Sequence, residues 1–217
     1  MKSLYESLLD DFDTINSKID PLKEIKQFLE ENYSGEYEIS AKPNKDGLYE
    51  VSAKKRINVK NTNITTLTND LFIWDKIGGD FDCSYCDSLK TLEGAPKKTG
   101  ESFNCYRCNS LTSLKGAPEI IKGNFNCYKC PSLTSLKGAP KEVGRDFCCD
   151  ECSSLTSLKG APEKVVRWFD CSNCNSLTTL EGAPKKVRGN FSCKNCKNKF
   201  TVADIIAVSN VKGEMRV

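Results

Sequence analysis

The chain opens with two stretches of helical spacing, Leu4, Leu8 and Leu9, then Leu22, Ile25 and Leu29, divided near Pro21. Residues 37–54 alternate apolar and polar positions around Asn44-Lys45-Asp46-Gly47, which predicts a hairpin. From there the rhythm lengthens. Phe81, Phe103, Phe125, Phe147, Phe169 and Phe191 recur at a constant spacing of 22 residues. Cys follows each Phe at +2 and +5, giving Cys83/Cys86, Cys105/Cys108, Cys127/Cys130, Cys149/Cys152, Cys171/Cys174 and Cys193/Cys196. Leu recurs at +8 and +11, Gly-Ala-Pro starts at +13, and Thr99, Ile121, Val143, Val165 and Val187 stand at +18.

A unit this short cannot bury its apolar side alone, so stacked units must share one continuous core. The F-x-C stretch alternates like a short strand, one per turn and always in the same direction, which predicts a parallel sheet. Proline removes a backbone donor and fixes φ, so the return path is expected to be extended and not a full helix. The expected divisions are an N-terminal cap over 1–56 (two helices and a hairpin), a degenerate first repeat over 57–80 and full repeats over 81–199. A capping repeat over 200–217 closes the chain, where Phe200–Val208 reads as a helical insertion and Val211, Met215 and Val217 resume the pattern.

The motif F-x-C-x-x-C-x-S-L-T-S-L resembles the leucine-rich repeat template L-x-x-L-x-L-x-x-N/C-x-L. Phe and the first Cys would fill the inward strand positions, and the second Cys the Asn/Cys ladder position. The next Leu comes three residues after the ladder Cys, where the template has two. The Gly-Ala-Pro return resembles the short repeats of bacterial effector proteins, and the wording CxSLTSLxGAPxxVxGxFxC resembles repeats of bacteriophage-encoded proteins. The resemblance covers about residues 57–217. It implies an α/β repeat fold, a right-handed leucine-rich-repeat solenoid of short parallel strands and extended returns. It also implies a viral accessory protein in the cytoplasm of an infected bacterium, occupying a host protein.

Composition narrows the chemistry. The 217 residues are 38% hydrophobic and 28% charged, and His is absent. Catalytic triads, HExxH zinc sites and His-based acid/base steps are therefore excluded, and no Walker loop or GxGxxG turn is present. No signal peptide or spanning segment is read from the sequence, so reduced thiols are expected over disulfides. Paired CxxC motifs 18 residues apart, as between Cys86 and Cys105, also fit the spacing of zinc sites. The same period carries Phe, Leu, Ala and Pro, and tetrahedral sites would need turns to pair two by two, which the repeats do not do. The twelve cysteines at +2 and +5 are accordingly read as a structural thiol ladder, with no metal and no cofactor. Cys148, at +1, is the one thiol expected to be exposed.

The outward strand positions define the face expected to bind, the concave one in this architecture. They carry Asp80, Asp82 and Tyr85, then Tyr106, Arg107, Tyr128 and Lys129, then Asp150, Glu151, Trp168 and Asp170. Tyr, Trp and Arg most often carry interface energy, so a protein partner is favoured, without catalysis. Tyr106 and Tyr128 share an offset and are expected to stack. The mixture of Tyr, Arg and Lys also suits single-stranded nucleic acid, but the acids on this face would repel phosphates. Net charge is only +3, with acids in excess over the first 35 residues and bases in excess through the repeats.

Overall fold

The computed structural model describes residues 20–217; the helix expected around Leu4–Leu9 lies outside them. Helix α1 (Pro21–Asn32) starts where Asp20 accepts the Leu22 N–H at 3.0 Å and proline takes the first turn. It buries Ile25 and Leu29. Strand β1 (Tyr33–Ser34) follows, then the expected hairpin of β2 (Glu38–Ile39) and β3 (Tyr49–Ala53). Its turn is held by Asn44 Oδ1, which accepts from Asp46 N at 2.9 Å and Leu48 N at 3.2 Å.

The rest is a parallel-strand β-solenoid. In the long sheet β4 (Ile57–Val59) leads to β6 (Phe81–Asp82), β7 (Phe103–Asn104), β9 (Phe125–Asn126) and β11 (Phe147–Cys148). β13 (Phe169–Asp170), β15 (Phe191–Ser192) and β17 (Met215–Arg216) complete it. β1 closes the first edge by pairing antiparallel with β4.

The expectation of one strand per turn is corrected, because each turn from Phe103 on contributes two. The +17/+18 positions form a second parallel sheet of β8 (Ile120–Ile121), β10 (Glu142–Val143), β12 (Lys164–Val165), β14 (Lys186–Val187) and β16 (Asn210–Val211). Proline removes only its own donor; the extended residues beyond it still carry N–H and C=O groups, and the neighbouring turn is where they find partners. Single bridges from Ile77 to Thr99 and from Thr99 to Ile121 connect this sheet to β5 (Phe72–Ile77), which pairs with β3.

The Phe, both Cys and both Leu of each inner turn are buried in one core. The rings of Phe103, Phe125 and Phe147 stack at 5.5 and 5.4 Å, each pair tilted by 8°. Every turn thus reproduces the surroundings of its neighbour. Gly116, with φ +94°, sits where a Cβ would run into the Leu92 backbone, so the chain can turn there only with glycine. The last turn is longer. Phe191 pairs in register with Met215, and the extra length is taken up by α2 (Val202–Val208), whose Thr201 and Asp204 form a capping box. Among the described residues no helix is long and apolar enough to cross a membrane.

The return side is laced by exposed pairs between adjacent turns, such as Lys115–Glu93 at 2.7 Å, Lys159–Glu181 at 3.0 Å and Lys164–Glu142 at 2.7 Å. Pairs this exposed are screened by solvent and add little to stability. The lysines of that side are a solvated surface.

Candidate functional site: the outward face of the long sheet

The thiols inside this face are hydrogen-bond donors. Cys108 donates to the Cys83 carbonyl at 3.1 Å, Cys130 to Cys105 at 3.2 Å and Cys152 to Cys127 at 3.2 Å. Cys174 and Cys196 repeat the contact to Cys149 and Cys171, each at 3.3 Å. The strand has ended at that carbonyl, and on its far side the +3 N–H has turned away. Tyr128 N, for example, donates to Asn126 Oδ1 at 3.0 Å. The second Cys of each turn therefore satisfies a carbonyl that the ladder leaves over.

Burial pushes Cys83, Cys105, Cys127, Cys149 and Cys171 well above the ordinary thiol range. A thiol donating to a carbonyl is protonated, whereas a zinc ligand is a thiolate. Among the described residues no group of three or more Cys, Asp or Glu is arranged to hold a metal ion. All thirteen cysteines are free of disulfides. Cys148 departs from its expected exposure. It is half-buried, and burial, with Asp150, Asp170 and Asp146 nearby, pushes it up to about 12.

On the solvent side the +3 and +4 residues gather into clusters. Tyr85, 45% exposed, meets Tyr106 edge-on with ring centroids 5.1 Å apart, and the Arg107 guanidinium lies 5.6 Å from the Tyr85 centroid. One turn on, Glu151 accepts from Tyr128 Oη at 3.0 Å and pairs with Lys129 Nζ at 3.2 Å. The Tyr128 hydroxyl first, then Lys129, with Arg107 adding its charge, holds the Glu151 carboxyl below the usual range. The expected stack of Tyr106 on Tyr128 is therefore replaced: Tyr106 turns back to Tyr85 and Tyr128 forward to Glu151.

Farther along, burial and the Asp170 charge raise Asp150 to about 6. Trp168 is covered by Arg216, whose guanidinium lies 5.7 Å from its centroid. Three acids of the expected patch already have structural work: Asp80 accepts the Ser102 N–H at 2.8 Å, Asp82 accepts Ser84 N at 3.0 Å while pairing with Arg56, and Asp170 accepts Ser172 N at 2.9 Å.

Two features of this face are not visible in the repeat pattern. Arg216 belongs to the capping repeat, and only the closeness of the last turn brings it over Trp168. The backbone at +4 is the second. Tyr85, Arg107, Lys129, Glu151, Asn173 and Asn195 are all left-handed, with φ of 61°, 56°, 55°, 56°, 57° and 54°. Asn tolerates that region; Tyr, Arg, Lys and Glu do so at a cost of about 1 kcal/mol. The two asparagines at this offset were the signal available in the sequence.

Fold and site together define a cysteine-rich parallel β-solenoid with a charged, aromatic outward face. No protein-family model, no curated protein and no solved structure matches the chain.

Proposed function

We propose that this solenoid is a recognition module without catalytic activity, binding a partner protein through Tyr85, Tyr106, Arg107, Tyr128, Lys129 and Glu151. Asp150, Trp168 and Asp170 extend the same face. One observation carries the reading. Four successive turns place Tyr, Arg, Lys and Glu on a left-handed backbone that favours Gly or Asn. Strain of this kind collects where side chains are kept for contact and not for stability. Tyr and Arg also supply a large contact area for little lost freedom.

The repeat wording supports kinship with leucine-rich-repeat proteins of bacteriophage and effector type. It also supports a cytoplasmic role in which a host bacterial protein is occupied. A second reading has the exposed Tyr85 ring beside Arg107 as a stacking platform for single-stranded nucleic acid; Asp146, Asp150 and Asp170 on the same face disfavour phosphate.

The test replaces the strained residues with the residue that later turns use, as Tyr85→Asn, Arg107→Asn, Lys129→Asn and Glu151→Asn combined. Affinity capture from bacterial lysate is compared with the unmodified protein, alongside thermal melting and binding of a labelled oligothymidylate. The expected result is a fold at least as stable, with the captured protein lost. Unchanged capture would overturn the reading, and oligonucleotide binding that disappears in the variant would put the second reading in its place.

A further inference from the structure

The corner where each turn passes from the second sheet back to the long sheet carries a cation in five successive turns. Lys122, Arg145, Arg167, Arg188 and Lys212 stand there, all of them exposed. Backbone bonds fix their order. Arg167 N donates to Arg145 O, Arg188 N to Val165 O and Lys212 N to Val187 O, each at 3.0 Å, so every corner is tied to the one before. Adjacent turns of such a ladder lie about 4.8 Å apart, and the row therefore runs lengthwise along the solenoid for about 19 Å. It is one charged side chain wide, because the other corner residue is glycine in four of the five turns, at Gly123, Gly144, Gly189 and Gly213.

Acids answer the neighbouring cations but not these. On the second sheet beside the row, lysines meet carboxylates of the adjoining turn, as in Lys141–Glu119 at 3.5 Å, Lys164–Glu142 at 2.7 Å and Lys185–Glu163 at 3.9 Å. Among the described residues none of the five corner cations has such a pair. The same column begins with Glu101, one turn before Lys122, so the turn itself does not demand a cation there. Like charges held side by side destabilise a fold, and a polyanion laid along them removes that repulsion.

Hydrogen bonding beside the row adds donors to it. In the column just before each Phe, every side chain accepts the N–H of the following turn. Asp80 accepts from Ser102, Ser102 from Asn124, Asn124 from Asp146 and Asp146 from Trp168, at 2.8–3.1 Å. Indole offers no acceptor, and at Trp168 the relay stops. Asn190 N–H finds no acceptor among the described residues, and Trp168 Nε1–H is buried without one. Trp168 follows Arg167 and Asn190 comes two residues after Arg188, while the Asp146 carboxylate beside Arg145 is already engaged.

The shape of the row selects the polyanion. A duplex completes a turn in about 34–36 Å, so within about 19 Å each of its strands winds to the far side and leaves a lengthwise row. A flat anionic membrane would also meet the neighbouring outward face, where Asp150 and Asp170 repel it. A polypeptide would need an acid at each step of its own sequence. A single nucleic-acid strand carries a charge on every unit and bends to follow the row, and the planar fork of arginine suits phosphate. We infer that the corner row of Lys122, Arg145, Arg167, Arg188 and Lys212 binds the phosphodiester backbone of single-stranded nucleic acid, without reading its bases. This surface is separate from the Tyr85–Glu151 face, and the inference stands whatever that face binds.

Fluorescence anisotropy of a labelled oligothymidylate, titrated with the full chain between about 50 and 200 mM salt, tests it. The unmodified chain is expected to bind in the micromolar range, more weakly as salt rises. Arg145→Gln, Arg167→Gln and Arg188→Gln combined are expected to weaken binding by about tenfold or more, and to flatten the log–log salt slope by about 0.7 for each cation removed. Lys115→Gln, Lys141→Gln and Lys159→Gln combined remove the same charge from paired positions and are expected to change binding by at most about twofold. Tyr85→Asn with Arg107→Asn should also leave binding in place, which separates the row from the outward face. Circular dichroism melting confirms that each variant is folded. No binding by the unmodified chain in about 50 mM salt would overturn the inference, as would equal losses from the arginine and lysine sets. Tighter binding of a duplex oligonucleotide, of polyglutamate or of anionic vesicles would overturn it in favour of that partner.

Discussion

The +4 column of the solenoid holds two regions with the same backbone and opposite side-chain choices. Asn173 and Asn195, at φ 57° and 54°, suit the left-handed region. Tyr85, Arg107, Lys129 and Glu151 occupy it at φ 55–61° without that advantage. The Asn195 turn has a thinner interior, with Cys196 half-buried and Lys199 and Val202 at the Leu positions, but up to the Asn173 turn the interior is alike, since Phe, the two Cys and the two Leu are buried in each. Across those turns what differs is the solvent side alone, where the early turns gather an aromatic pair and a Glu151 bonded to Tyr128 and Lys129. The core sets the backbone path of every turn, and the outward face is then free to keep residues that this path disfavours.

The largest expected effect attacks what the two regions share. Phe125→Ala removes a ring stacked on both sides and is expected to cost about 3–5 kcal/mol, read by urea unfolding. Next come the thiols. Cys130→Ala leaves the Cys105 carbonyl without its donor and is expected to cost about 1–3 kcal/mol, with Cys130→Ser recovering part of it. Cys174→Ala in the later turns should cost about the same, because the buried columns are alike; a wide disparity would break the comparison at its base.

The +4 column sharpens it. Asn173→Lys is expected to destabilise by about 1 kcal/mol, and Arg107→Asn to stabilise by at most that much, both read as shifts in melting temperature. Equal and negligible shifts would show that the left-handed backbone carries no strain.

The smallest effect concerns pH. The raised Asp150 carboxyl, at about 6, takes up a proton more readily in the folded chain than in the unfolded one. Its contribution is therefore full below the ordinary carboxylate range and is lost as pH rises through 6. Asp150→Asn should raise the melting temperature at neutral pH and leave it nearly unchanged at pH 4, an order that a reversed result would refute.

Much of this molecule is legible along the chain because a solenoid repeats its surroundings. The inner positions of each turn meet the same positions above and below, so Phe125 needs Phe103 and Phe147, and one period records the packing of all. The hairpin around Asn44–Gly47, the start of α1 at Pro21 and the insertion before Val208 are equally local, set by turn and cap chemistry within a few residues. The second sheet is not local. It exists because the residues after Gly-Ala-Pro find partners 22 positions away, as Glu142 does with Lys164.

The period, the buried residues and the stack direction are written along the chain, since burial demands an apolar side chain wherever the pattern returns. Folding in three dimensions sets what the thiols donate to, and that Tyr106 meets Tyr85 while Tyr128 meets Glu151. The same holds for Arg216, which lies over Trp168. Outward side chains are long, and each can reach a neighbour in its own turn, the one before or the one after. The residue types alone leave those reaches equal, and the neighbours that each side chain meets in space separate them.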